Sequence, residues 1–167
     1  MLAKLTLAFR EEERPFLLDI SSLLYDFELL HDLSLILCAE EYIDYKFSRF
    51  FWFRNRRPIR KQHRLRASRI TKESPLTVEL ILAGITVVSG ALWALLQAIE
   101  KIRNWSLSRE KLQREIEKLK SEIRLVELER KVREREADLV YDPLVKRLED
   151  LPFKLADLKL EAVEEDR

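Results

Sequence analysis

The sequence predicts an α+β chain: a small N-terminal β-α-β-β domain, a long apolar helix that spans a membrane, and a parallel coiled coil continuing from that helix. Three observations predict it. Leu5, Leu7 and Phe9 alternate with Thr6 and Ala8, the period of a half-buried strand. Leu80 to Ile99 contains no charged residue and has about the length of a bilayer core. From Ile102 onward, apolar residues recur at alternating spacings of three and four, a heptad seam.

The head domain is assigned to residues 1–73. Lys4, Arg10 and the acids from Glu11 to Glu13 interrupt any leading apolar run, so no secretory signal is expected. Asp19, Ser21 or Ser22 caps a helix that runs to about Glu41, with Leu23, Phe27, Leu30, Leu33, Ser34 and Leu37 on one face. That segment is apolar nearly all round, and a buried strand in its first half is the alternative. Lys46 to Arg54 is rich in aromatics and reads as a strand, Asn55 to Pro58 as a turn, and His63 to Ile70 as a second alternating strand.

Residues 74–101 form the apolar helix, with Pro75 at its first position. Trp93 and Trp105 lie toward its C-terminal side, as interfacial aromatics do. Thr86, Gly90, Ala94 and Ala98 recur every four residues and place small side chains on one face, which lets two helices approach closely. In residues 102–140 Ile116 and Ile123 occupy a positions, and Leu112, Leu119 and Val126 occupy d positions, the pattern of a parallel two-stranded coil. Arg109 and Arg130 weaken the seam, and a shifted seam through Leu128, Val132 and Leu139 reads as a stutter. The helix is expected to run unbroken from Pro75 to about Val140, roughly 100 Å at about 1.5 Å per residue. Asp142-Pro143 ends it, and residues 141–167 are read as short amphipathic tail helices, with Phe153, Leu155 and Leu158 available to dock in a partner's groove.

Charge is sorted along the chain. Lys plus Arg total 31 and Asp plus Glu total 30, yet nine Lys or Arg and no acid lie between Arg54 and Lys72. Arg54, Arg56, Arg57, Arg60, Lys61, Arg64 and Arg66 are the candidate contacts to anionic lipid or nucleic acid. Placed before the apolar helix, they predict a cytoplasmic head and a membrane location. The neighbouring Phe50 to Phe53 aromatics supply the components of a single-strand platform, although no recognised RNA-binding signature accompanies them.

Chemistry is sparsely represented. A single Cys38 excludes an internal disulfide framework and a Cys-rich zinc site. With only His31 and His63, no Gly-rich phosphate loop and no nucleophile elbow, no catalytic residue, metal or cofactor is assigned. Asp26, Glu28, His31 and Asp32 lie close together and read as a solvated face of the first helix; Cys38 reads as a small buried hydrophobe. The expected function is a non-enzymatic, membrane-associated adaptor or effector that self-assembles through the small-residue stripe and the coil. Its expected partners are its own copies, an anionic membrane and a protein bound by the head or the tail. The alternatives are a cytoplasmic soluble oligomeric scaffold with its apolar helices bundled in the core, and a nucleic-acid-binding module on residues 54–72.

Overall fold

The computed structural model describes residues 2–11, 15–47, 49–72, 75–82, 89–102, 110, 113–114 and 127–163. Strand β1 (Leu2–Glu11) buries Ala3, Leu5, Leu7 and Phe9, as its alternation predicts. Helix α1 (Leu17–Cys38) follows, and the Asp19 carboxylate accepts the Phe16 N–H at 2.8 Å to satisfy its first turn. Strands β2 (Arg66–Thr71) and β3 (Leu76–Leu82), helices α2 (Ser89–Glu100) and α3 (Glu127–Glu149), and strand β4 (Phe153–Val163) complete the described elements. The sheet has the order β2-β3-β1-β4 and is antiparallel throughout. It therefore joins both ends of the described chain. α1 packs against both α2 and α3, and these helices share one hydrophobic core with the inner face of the sheet.

The architecture is α+β, and several elements differ from the sequence expectation. Pro75 precedes a strand, not a helix. Leu76, Val78, Leu80 and Leu82 alternate with half-buried Thr77, Glu79 and Ile81, so β3 takes the first three residues of the uncharged run. The run resumes as α2, whose 12 residues extend about 18 Å, well short of a bilayer core of about 30 Å. Among the described residues no helix is long and apolar enough to cross a membrane. The helix that is apolar on every side is α1: Leu29 to Leu37 are buried without exception, which is how a helix with no polar face is accommodated inside a protein.

The aromatic segment expected as a strand is a series of 3-10 turns, Arg49–Trp52 and Arg54–Arg56, because Phe51 turns into the core and Arg57 is held on α1. Tertiary anchoring overrides the strand preference of its aromatics. Asp142-Pro143 does not end a helix. α3 runs through Pro143, which leaves only the Leu139 carbonyl without its usual donor, at a residue whose side chain is 79% exposed. Ala137, Val140, Tyr141, Leu144 and Leu148 form the buried stripe of α3. The seam residues Leu112, Ile116, Leu119, Ile123 and Val126, and Thr86 of the stripe, lie outside the described residues.

The expected tail helix is strand β4. Its apolar residues are spaced two, three and two apart, which fits a strand carrying one bulge as well as it fits a helix turn. The bulge is there: Ala8 pairs with Asp157 and Phe9 with Leu155, so Ala156 is the extra residue. That single insertion turns Phe153, Leu155 and Leu158 all to the core, and none of the three is available as an exposed docking tail.

Candidate docking surface

Residues 49–63 are held to α1 and to the turn that follows it by three sets of contacts. The Tyr25 hydroxyl donates to the Trp52 carbonyl at 2.5 Å. Arg57 is buried and donates through Nε to Asp32 Oδ2 at 2.5 Å, with Glu28 at 3.7 Å from Nη2. The Tyr42 hydroxyl accepts the Arg60 backbone N–H at 3.2 Å and lies 2.8 Å from His63 Nδ1; burial raises this tyrosine's pKa above the ordinary value.

These anchors divide the seven predicted cations. Arg57 is a structural pin, and its guanidinium is 5.9 Å from the centroids of both the Tyr25 and Phe51 rings. Arg54 approaches Glu28 at 3.7 Å and Arg60 pairs with Glu41 at 2.8 Å, both with their side chains mostly in solvent. Arg56, Lys61, Arg64 and Arg66 are exposed. Phe53, on the same segment, is 58% exposed. Phe51 is in the core, and Trp52 is half-buried with the Arg147 guanidinium 5.1 Å from its ring.

A groove of about 310 Å³ opens beside this segment. Ser21, Leu24, Tyr25 and Glu28 of α1 form one wall; Arg54, Leu65, Ala67 and Leu80 form the other. A second, smaller cavity of about 160 Å³ lies where Leu37 of α1, Ala94 and Ala98 of α2, and Asp138 and Tyr141 of α3 meet. Gly90, Ala94 and Ala98, expected as an intermolecular stripe, are buried in the chain's own core, where their small side chains suit the approach of α2 to α1. No family model, curated protein or solved structure matches this chain.

The acidic cluster of α1 is buried, not solvated. Asp26, His31 and Asp32 are all but inaccessible, and the two aspartates meet partners that the local pattern does not reveal. Asp26 accepts a 2.5 Å hydrogen bond from Arg147 of α3. His31 Nδ1 lies 3.2 Å from Asp32 Oδ1, whose other oxygen takes Arg57. Ser34 donates to the Leu30 carbonyl at 2.8 Å and sits 3.2 Å from the Tyr141 hydroxyl. His31 Nε2 and Arg57 Nη1 have no hydrogen-bond partner among the described residues. No group of three metal-ligating side chains occurs among those residues. One signal was present in the sequence: a helix apolar on every side is buried, and its acids then require partners.

Burial pushes the Asp26 carboxyl up to about 6, with Arg147 opposing the shift. The folded pKa lies above the ordinary 3.8, so Asp26 contributes most below about pH 4, and that contribution is lost as pH rises to about 6. The loss is at most about 3 kcal/mol, and smaller to the extent that half-exposed Arg147 is screened by solvent. Urea midpoints of the natural chain and Asp26→Asn, measured from pH 4 to pH 7, should converge or cross over this window; parallel curves would refute the assignment.

Proposed function

We propose that this chain is a non-catalytic adaptor that docks peripherally on an anionic membrane surface through its basic segment. The observation that carries the reading is that Arg56, Lys61 and Arg64, and Phe53 with them, are exposed along one segment that Arg57 pins to α1. Cations near an anionic leaflet each contribute about 1 kcal/mol, and an aromatic ring among them suits the interface between headgroups and acyl chains. Anionic lipid is characteristic of the cytoplasmic leaflet, which is the side the reading assigns. Self-association through the seam from Leu112 to Val126 belongs to the same reading and is supported by the heptad spacing alone.

The nucleic-acid alternative is less well supported, because a stacking platform needs several exposed rings and Phe51 and Trp52 are used internally. Co-sedimentation with vesicles tests the proposal. The chain should partition onto phosphatidylserine-containing vesicles and not onto pure phosphatidylcholine, with affinity falling as salt rises. The triple variant R56A/K61A/R64A should lose at least about tenfold. Equal partition onto both vesicle types overturns the reading. So does salt-dependent retention of single-stranded DNA without vesicle binding, which would transfer the basic segment to nucleic acid.

A further inference from the structure

We propose that the β2 edge and the groove beside it bind an extended peptide that alternates acidic and apolar residues, by adding it to the sheet as a fifth strand. This surface is distinct from the lipid-facing cations, and it supplies the protein-docking role that buried Phe153, Leu155 and Leu158 cannot fill.

Four observations carry the inference. First, β2 pairs only with β3, so among the described residues its other edge has no ladder partner for its backbone donors and acceptors. Second, the helical layer stops short of this strand. The inner-face residues of β3 are almost wholly buried, whereas Ala67 and Ile70, which pair with Leu80 and Val78, are exposed, Ile70 by 40%. Third, apolar side chains stand uncovered at the end of the opposite wall. Leu24 lines the groove, and Leu17 and Leu18, each 73% exposed, lie one helical turn before groove-lining Ser21 on α1. Fourth, β2 carries cations and no acid: Arg66 and Arg69 pair with Ile81 and Glu79 on the outer face, and Lys72 follows the strand.

The two faces of β2 define the occupant. Residues of an added strand alternate between faces. Those beside Arg66 and Arg69 meet positive charge, and those beside Ala67 and Ile70 enter the groove toward Leu17 and Leu18. An acidic-apolar alternation satisfies both faces at once, and the main-chain ladder supplies the remaining binding energy. A second copy of this chain fits poorly. Two β2 edges would bring their arginine rows together. The other edge, β4, mixes Lys154 and Lys159 with Asp157 and Glu161 and offers no complementary charge.

The test is fluorescence anisotropy of the full chain with a labelled eight-residue peptide of alternating Glu and Val. Two controls are a Lys–Val peptide and a Glu–Val peptide N-methylated at alternate residues. Saturable binding of the Glu–Val peptide is expected. Loss of at least about tenfold is expected on N-methylation, on exchange of Glu for Lys, and in the R66E/R69E variant. The vesicle-defective R56A/K61A/R64A variant should still bind the peptide, which separates this inference from the membrane reading. Equal binding of the N-methylated peptide would reduce the contact to charge alone and overturn strand addition. Absence of Glu–Val binding would overturn the proposal outright, as would a self-assembly of the chain that R66E/R69E disperses, which would give the edge to a second copy.

Discussion

Arg57→Met is expected to lower the unfolding free energy by about 3–5 kcal/mol, the cost of leaving one member of a buried ion pair without its partner. Asp32 is almost inaccessible, and its Oδ2 takes the Arg57 Nε at 2.5 Å. Once the guanidinium is gone, the carboxylate loses its charged partner and keeps the His31 ring nitrogen at 3.2 Å. The loss is therefore largely the desolvation of Asp32, and a second substitution reveals it. Asp32→Asn in the Arg57→Met background should recover about half of the stability, because the uncompensated charge is removed. Arg57→Lys should recover less, since an ammonium does not reproduce the planar fork that reaches Asp32 and Glu28 together. Denaturant titrations of the three variants read all of this, and a cost below about 1 kcal/mol for Arg57→Met would show that the pair does not hold the segment.

The same residue separates what is legible in the sequence from what is not. By composition Arg57 is one of nine cations in a run without acids, and nothing local distinguishes it from Arg56. Its partner lies 25 residues earlier, on a helix whose acids read as a solvated face. The Asp26–Arg147 contact spans 121 residues and is still less accessible to local pattern. Period-based reading succeeded where one period governs a whole element. β1 keeps strict alternation, and α1 is helical throughout, so the strand alternative for its first half is not realised.

It failed where two elements share one composition. The uncharged run contains the end of β3 and most of α2, and hydropathy alone does not mark the boundary. Leu80 and Leu82 belong to an alternation that begins at Leu76, upstream of the run, and that earlier phase was the available signal. The rule that an all-round apolar helix must be buried was sound, but its subject was α1. Of the candidate surface, the cluster of cations was legible. The groove and the open β2 edge were not, because both depend on how far the helices extend across the sheet.

Phe153→Ala is expected to cost about 3–5 kcal/mol, and it decides whether the C-terminal segment is scaffold or recruiter. Phe153 is 1% exposed, its ring meets that of Phe9 edge to face at 5.9 Å, and β4 is hydrogen-bonded to β1 along its length. Truncation removes an aromatic pair and leaves a void between the sheet and the helices, so the transfer and cavity costs add. Lys154→Ala, on the exposed side of the same strand, should change stability by no more than about 0.5 kcal/mol. The contrast between adjacent residues is the signature of a pleated strand with one face in the core; an amphipathic tail bound elsewhere would leave the free chain equally stable in both variants. The size of the effect also bears on the order of the sheet. β1 lies between β3 and β4, so loosening β4 exposes a second side of the strand that carries Leu5, Leu7 and Phe9. Thermal unfolding followed by near- and far-ultraviolet circular dichroism should therefore show one coincident transition at lower temperature in Phe153→Ala, with the sheet and its helical cover melting together. A separate early transition that leaves the helical signal intact would mean that β4 contributes to binding and not to the core.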